Sequence, residues 1–309
     1  MVMYDEEAIK AALNIPLFAG RSADDISVTQ LGGQTNTNFL VDVDGAKYVL
    51  RLAGVGTETI INRESDAANS QVAFEIGVST KVVYVDESTG TMLREYVEGS
   101  PLANEDFRNP KKIEHAARAI KAIHESNRTF DTRFDILEKL DEYEAMVRNS
   151  GGPVPIDYFE LAKLTEDARK TMQDYPVDLC PCHNDLVAPN FLDVGDRFLI
   201  LDWEYSGMND PMFDLAALAA EADLTPAEEQ LMFEAYFASD VPPLDACRMA
   251  IYRVLWDQWV TLWSMNQIAN WSVSDNFWDW GMVHMEKFKR GALGDAFAQN
   301  VKRLGGTHL

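Results

Sequence analysis

The sequence predicts an α+β protein with two lobes, a small antiparallel sheet lobe containing one helix and a larger, mainly helical lobe. The chain has 309 residues, a length that favours about two domains. Apolar and polar residues alternate in several segments of residues 27–97, whereas apolar residues recur at helical spacing beyond residue 110. We therefore expect an N-terminal lobe over residues 1–97, a C-terminal lobe over residues 98–309 and a linker near residues 95–101.

The N-terminal lobe is predicted to be rich in strands. A short helical pattern at residues 6–12 precedes alternating segments at residues 27–31, 38–42 and 48–52. Asp44-Gly45, between the last two segments, is a strong signal for a hairpin turn. Helical spacing over residues 60–76 ends at Gly77, and strands are expected at residues 81–85 and 91–97.

The C-terminal lobe is predicted to be helical around one irregular segment. Apolar residues at helical spacing give the predicted helices 110–125, 135–148, 157–174, 212–223, 226–238, 244–270 and 274–291. Residues 178–202 break this pattern and are expected to form strands and loops.

The charge of the chain limits the partners that it can have. Fifty acidic residues against 27 basic ones give a net charge of −23, which argues against nucleic acid as a partner. The same charge suits a small cationic acceptor, although solubility or a salty cytoplasm explains it equally well. The start of the chain lacks the basic and apolar regions of a signal peptide, and no apolar run is long enough to span a bilayer. We therefore expect a cytoplasmic protein without membrane insertion.

Three cysteines, Cys180, Cys182 and Cys247, are typical of a reducing compartment. Cys180 and Cys182 are separated by one residue, which is not the usual spacing of a metal clip, and the sequence has no second clip. The expected role is that of two small thiols on a strand.

One segment of the C-terminal lobe contains the residue types that phosphoryl transfer requires. The reaction needs a carboxylate to orient and deprotonate the attacking hydroxyl, and metal ions on the phosphate oxygens. Asp185 and Asn190 lie five residues apart in a loop, so both can face one site, one as base and one as metal ligand. Asp202 follows the apolar run of residues 198–201, where its carboxylate is well placed to hold Mg²⁺ together with Asn190.

This segment resembles the choline kinase and aminoglycoside phosphotransferase family, which has the protein-kinase-like two-lobed fold. The family patterns H-x-D-x-x-x-x-N and D-[FW]-E match residues 183–190 and 202–204. The resemblance implies that Asp185 is the catalytic base and that Asn190 and Asp202 bind Mg²⁺, with Glu204 as a further metal contact. It also implies that His183 braces the loop.

The N-terminal lobe resembles the same family, and residues 31–102 look most like bacterial choline kinases. The loop at residues 31–38 is similar to the loop that covers the ATP phosphates. Arg51 takes the place of the cation that pairs with the nucleotide, with Glu64 as its expected partner and Asp66 as the alternative if the register shifts. The residues that the resemblance assigns to ATP are Gly33, Gln34, Thr35, Asn36, Arg51, Glu64, Glu95 and Val97, the last two through backbone groups on adenine.

The acceptor is indicated by aromatic residues. Six of the seven tryptophans lie between residues 256 and 280, and three of them share one helical face. Aromatic faces hold a quaternary ammonium by cation–π attraction, although a tryptophan stripe also suits ordinary core packing. The candidate acceptor residues are Trp263, Trp259, Trp256, Tyr252 and Glu221, with Asp257 as an alternative carboxylate.

These observations favour an ATP- and Mg²⁺-dependent kinase that phosphorylates the hydroxyl of choline to give phosphocholine and ADP. The alternatives are a kinase for ethanolamine, thiamine or an aminoglycoside, and a pseudokinase that binds a nucleotide without transferring phosphate. Pseudokinases typically lack the base or a metal ligand, and here all three residues are present. The sequence gives no prediction of oligomeric state.

Overall fold

The computed structural model describes residues 2–32, 36–54, 61–270 and 276–306. The chain forms two compact units: Met1–Pro101 together with Asn190–Tyr205, and Leu102–Pro189 together with Ser206–Leu309. The first unit is a sheet with two helices and the second is mainly helical, which confirms the predicted α+β class. The grouping of residues 190–205 with the first unit was not expected, and the predicted functional division at residue 97 stays a prediction.

The first unit is built on an antiparallel sheet of five strands. The strands are β1 (Ile26–Gly32), β2 (Thr37–Val43), β3 (Ala46–Leu52), β4 (Val82–Asp86) and β5 (Thr91–Glu95), in the order β1-β2-β3-β5-β4. Asp44 and Gly45 both have positive φ, 54° and 83°, as the predicted tight turn between β2 and β3 requires. Phe39, Val41 and Leu50 are fully buried in one apolar core with residues of helix α1 (Val2–Leu13).

Two more elements of the first unit position its polar residues. Helix α2 (Arg63–Ile76) begins after Asn62, whose side chain accepts a hydrogen bond from the Ser65 amide, and ends at Gly77 with φ 90°. A second antiparallel sheet has the order β6-β8-β9 and consists of β6 (Ser100–Pro101), β8 (Phe191–Asp193) and β9 (Phe198–Ile200).

The second unit is organised around one long helix, α9 (Pro243–Asn270), which packs against α4, α7, α10 and α11. A short antiparallel pair, β7 (Cys180–Cys182) and β10 (Gly207–Asn209), lies in the same unit. The remaining helices are α3 (Pro110–His124), α4 (Ile136–Ser150), α5 (Tyr158–Ala162), α6 (Glu166–Asp174), α7 (Pro211–Glu221), α8 (Pro226–Phe237), α10 (Asn276–Ala292) and α11 (Asp295–Gly305).

The predicted helix over residues 157–174 is wrong as one element, because a 3-10 turn at Lys163–Thr165 separates α5 from α6. Helix α11 was not predicted, although its apolar residues Phe297 and Leu304 are buried. Among the described residues, no helix combines the length and the apolarity that crossing a membrane requires.

Candidate active site

The hairpin of β8 and β9 brings the two predicted metal ligands of the first unit to the same end of a sheet. Phe191 pairs with Ile200 in antiparallel register, so the residue before β8 lies opposite the residue after β9. The Leu201 amide donates to the carbonyl of Asn190 over 2.8 Å. Backbone pairing therefore places Asn190 opposite Leu201, the residue that directly precedes Asp202.

Backbone conformation and a buried partner fix the two carboxylates that follow β9. Asp202 has φ 64°, in the left-handed region that non-glycine residues seldom adopt and that occurs preferentially at functional sites. Its side chain is 29% exposed, whereas that of Glu204 is buried. The Asn36 side-chain amide donates to Glu204 Oε2 over 2.7 Å, which orients that carboxylate.

Arg51 on β3 is a buried cation of this group. Its guanidinium forms a buried ion pair with Asp66 on α2, and its Nη1 lies 3.4 Å from Asp202 Oδ1. Burial disfavours the charged form of Arg51, but the charges of Asp66, Asp202 and Glu204 outweigh burial and raise its pKa. Arg51 therefore stays charged although its side chain is almost fully enclosed.

Glu64 is exposed and is not the ion-pair partner of Arg51, so that prediction is wrong. α2 begins at Arg63, and the residue that faces the sheet is Asp66, two positions further along the helix. Asp66 is 1% exposed. The alternative register named from the sequence is therefore the one that the fold adopts.

Glu204 is the carboxylate whose ionisation is most affected. Burial, followed by the nearby charge of Asp202, raises the pKa of Glu204 to about 7, against opposing effects of Arg51 and the Asn36 hydrogen bond. A buried carboxylate beside a second carboxylate fits a site for a cation. Together with the amide oxygen of Asn190 they form a set of oxygen donors, the kind that Mg²⁺ prefers.

In the second unit, β7 leads directly into the loop that contains the predicted base. His183 and Asn184 are fully buried, and Asp185 is half-buried. Asn184 has φ 66°, and its side-chain oxygen accepts a hydrogen bond from the side-chain amide of Asn209 over 2.8 Å. The Asp185 amide lies 3.3 Å from His183 Nδ1, in agreement with the predicted bracing role of that histidine.

A single carboxylate on α7 holds this loop in place. Asp214 Oδ2 accepts from the His183 amide over 2.8 Å, and its Oδ1 accepts from the Asn184 amide over 2.7 Å. His124 Nε2 lies 3.0 Å from the same Oδ2. Burial opposes a charge on His124, but its hydrogen bond to Asp214 and the nearby negative charges, that of Asp214 first, together outweigh burial and raise the pKa of His124.

The predicted acceptor aromatics separate into two groups. Tyr252, Trp256 and Trp259 are buried in the helical core, where Trp256 contacts Trp259 at a centroid distance of 5.3 Å. Trp259 also packs edge-on against Phe134. This is the core packing that the sequence left open for a tryptophan stripe, and a role for Tyr252, Trp256 and Trp259 in binding the acceptor stays a prediction.

Trp263 belongs to a second group, which includes residues that were not candidates. Its ring lies 5.4 Å from that of Trp280 on α10, which in turn lies 5.3 Å from the ring of His284. Sequence reasoning missed Trp280 and His284 because nothing in the spacing fixes how α10 packs on α9. Their separation of four residues, which places them on one helix face, was the available signal.

Two carboxylates surround His284. Its Nδ1 lies 2.7 Å from Asp257 Oδ1, and its Nε2 lies 3.3 Å from Glu221 Oε1. The indole N–H of Trp256 donates to Glu221 Oε1 over 2.8 Å and orients that carboxylate. Glu221 and its alternative Asp257 are thus parts of one buried cluster.

The predicted adenine contacts lie at the end of β5. The Glu95 amide donates to the Lys81 carbonyl over 2.9 Å, and Val97 follows two residues later, half-buried. Gly33, Gln34 and Thr35, predicted to cover the phosphates, lie outside the described residues.

The chain is similar to known proteins in sequence and in fold. The sequence profile of the choline/ethanolamine kinase family matches residues 28–234, which is more than half of the chain. The chain therefore belongs to the choline/ethanolamine kinase family. The structure of a choline/ethanolamine kinase family protein from Mesorhizobium loti is similar, with a TM-score of 0.85 and 30% identity over 97% of this chain and 99% of that one.

Two further relatives have the name LicA. The structure of choline kinase LicA from Streptococcus pneumoniae has a TM-score of 0.80 and 28% identity, covering 94% of this chain and 99% of that one. LicA of Haemophilus influenzae is 29% identical over 221 residues, or 68% of this chain. The present chain spans 62% of the length of that relative, which is less than two thirds.

The buried ion pair gives a test of the helix register. Asp66→Asn should lower the free energy of unfolding by about 3–5 kcal/mol, because it leaves the Arg51 charge buried without its main partner. Glu64→Gln, two positions away and exposed, should change it by less than about 0.5 kcal/mol. Urea denaturation of both variants measures the two values. Equal effects would contradict the pairing of Arg51 with Asp66.

The raised pKa of Glu204 predicts a pH-dependent stability. Between pH 4.5 and about 7, Glu204 holds a proton in the folded protein and has lost it in the unfolded chain. The stability of the fold that depends on this group is therefore lost as the pH rises through that range. Without metal, in EDTA, Glu204→Gln should therefore gain in melting temperature relative to the unmodified protein between pH 5 and pH 8. Glu98→Gln, which changes an exposed carboxylate of the same unit, should show no such gain. A difference that stays constant with pH would refute the shift.

Proposed function

We propose that the protein transfers the terminal phosphoryl group of ATP to the hydroxyl of choline, producing phosphocholine and ADP. Membership of the choline/ethanolamine kinase family supports a phosphotransferase that acts on an alcohol. The observation that carries the proposal is the loop that contains Asp185. The backbone amides of His183 and Asn184 in this loop donate to the carboxylate of Asp214, which holds the loop in place.

Residues of the first unit have the properties needed to bind the nucleotide. Arg51 offers a permanently charged, planar fork of N–H donors, which suits phosphate oxygens. We assign adenine to backbone groups of Glu95 and Val97, and the phosphate-covering role to Gly33, Gln34, Thr35 and Asn36. Of these, Asn36 is buried and already bonded to Glu204, so it is assigned the further task of orienting that carboxylate.

Asn190, Asp202 and Glu204 are the residues that we assign to Mg²⁺. Their oxygen donors match its preference, and a bound cation offsets the repulsion between the two carboxylates. When bound, Mg²⁺ neutralises charge on the phosphate oxygens. The carboxylate of Asp202 is partly exposed and can reach a bound ion. The carboxylate of Glu204 is buried, and its hydrogen bond from Asn36 fixes its orientation.

Asp185 is the proposed general base. Its carboxylate accepts the proton of the choline hydroxyl while the hydroxyl oxygen forms a bond to the terminal phosphorus and the bond to the ADP oxygen breaks. A base must keep its position, and here the preceding two amides are anchored on Asp214. Its half-buried side chain is the accessible carboxylate of a loop whose other members, His183 and Asn184, are enclosed.

The acceptor is assigned to the cluster of Trp263, Trp280 and Glu221. The cluster places two carboxyl groups, those of Glu221 and Asp257, against the single imidazole of His284, and this excess of acidic groups attracts a cation. The indole faces add cation–π attraction. Because a quaternary ammonium has no N–H to donate, aromatic faces with a nearby carboxylate favour choline over a primary amine such as ethanolamine.

A panel of acceptors tests this proposal. ADP release with MgATP should be fastest with choline, slower with ethanolamine, and absent with thiamine and kanamycin. Turnover of kanamycin but not choline would refute the choline assignment. A protein that binds ATP and releases no ADP with any acceptor would be the pseudokinase considered from the sequence.

Variants in α10 sharpen the same test. Trp280→Leu should raise the KM for choline roughly 3- to 30-fold, the range expected for one lost cation–π contact. The KM for ATP should not change. Trp278→Leu is the matched control, since Trp278 is on the same helix and is 40% exposed. Equal effects of the two substitutions would place the acceptor elsewhere.

A further inference from the structure

Three side chains of the second unit that can bind a metal come together. Cys180 and Cys182 are two residues apart on β7 and so face the same side of the strand. His124, at the end of α3, meets them there: the two sulfurs are 3.7 Å apart, and Cys182 Sγ lies 3.5 Å from His124 Nε2. All three ligand atoms lie within 4.8 Å of one another.

These separations match the edges of a tetrahedral zinc site. With Zn–S of about 2.3 Å and Zn–N of about 2.0 Å, tetrahedral geometry places two sulfurs about 3.8 Å apart and a sulfur and a nitrogen about 3.5 Å apart. The observed distances are 3.7 Å and 3.5 Å. Two thiolates and one imidazole are also the soft and borderline ligands that zinc prefers over magnesium.

The residues around the cluster affect its ability to bind a metal ion. His124 Nδ1 lies 2.8 Å from the Tyr236 hydroxyl, whose oxygen can accept a hydrogen bond from Nδ1–H. When the ring proton is on Nδ1, Nε2 can bind a metal ion. His124 and Cys182 are buried, whereas Cys180 is only partly buried and provides a route to solvent. Asp214 Oδ2 lies 3.0 Å from His124 Nε2 but is not a member of the cluster.

The sequence did not indicate this site because Cys180 and Cys182 lack the usual clip spacing. The third ligand lies 56 residues before the first cysteine and reaches it only through the packing of α3 against β7. Tertiary structure, not local spacing, assembles the set.

We propose that His124, Cys180 and Cys182 bind Zn²⁺ and that the bound ion slows phosphoryl transfer, the second part resting on the proposed function. Binding releases the two thiol protons and the Nε2 proton of His124 to solvent and involves no change of oxidation state. His124 Nε2 cannot donate to Asp214 while it ligates zinc. Asp214 thereby loses a partner, and its hold on the amides of His183 and Asn184 changes with it.

Cobalt titration tests the binding without reference to activity. The full chain, freed of metal and kept reduced with a phosphine, should take up one Co²⁺ with the ultraviolet absorption of thiolate-to-cobalt charge transfer, and Zn²⁺ should abolish that absorption. Cys180→Ser should weaken binding by more than the roughly 10- to 100-fold that loss of a second-shell partner costs. Cys180→Ala serves as a second variant, and circular dichroism checks the fold of both.

Cys247→Ser is the matched control, because Cys247 is a buried free thiol on α9 and not a member of the cluster. It should bind cobalt like the unmodified protein. Absence of charge-transfer absorption in the unmodified chain, or equal absorption in Cys180→Ser, would overturn the site.

The regulatory part is tested by zinc inhibition, with each rate compared with the same protein's rate without zinc. At saturating MgATP and choline, Cys180→Ser should need at least about tenfold more zinc for half-inhibition than Cys247→Ser. Zinc acting at the magnesium ligands would inhibit all three proteins equally, and that result would overturn the regulatory proposal. If no protein phosphorylates choline, the proposed function fails while the cobalt titration still decides the metal site.

Discussion

The buried carboxylate of Asp214 is the constraint on which the second unit depends. A carboxylate enclosed by apolar helices is costly unless each oxygen is satisfied, and here the partners are two backbone amides and an imidazole. Those amides belong to the two residues before Asp185. The need to satisfy a buried charge therefore fixes the loop from which the proposed base projects, and the left-handed backbone of Asn184 is maintained by the same contacts.

The first unit uses a complementary arrangement of charge. Asp66, Asp202 and Glu204 gather around Arg51, and backbone pairing of β8 with β9 places Asn190 at the same end. Burial, together with the nearby charge of Asp202, explains why Glu204 ionises only near neutral pH. The carboxylate and amide oxygens of this group are donors suited to a divalent cation.

Much of the fold follows from local sequence signals, and the errors have physical reasons. Alternation, the Asp44-Gly45 turn and the stop at Gly77 fixed the strands and the first long helix, because these features act within a few residues. The partner of Arg51 depends on how α2 is rotated against the sheet. A shift of two residues along the helix replaces Glu64 by Asp66 at the position that faces Arg51. Helix packing determines where His284 and Trp280 lie and brings His124 to the two cysteines. The spacing of residues along the chain does not determine that packing.

The central claim is that Asp185 is the base of a choline kinase, and a single substitution measures it most directly. With MgATP and choline, Asp185→Asn should lower kcat by about 10²- to 10⁴-fold, the usual contribution of a general base, with an unchanged KM for ATP. Asp196→Asn, at an exposed turn position, should keep the full rate. An Asp185→Asn protein that phosphorylates choline at nearly the unmodified rate would contradict the account.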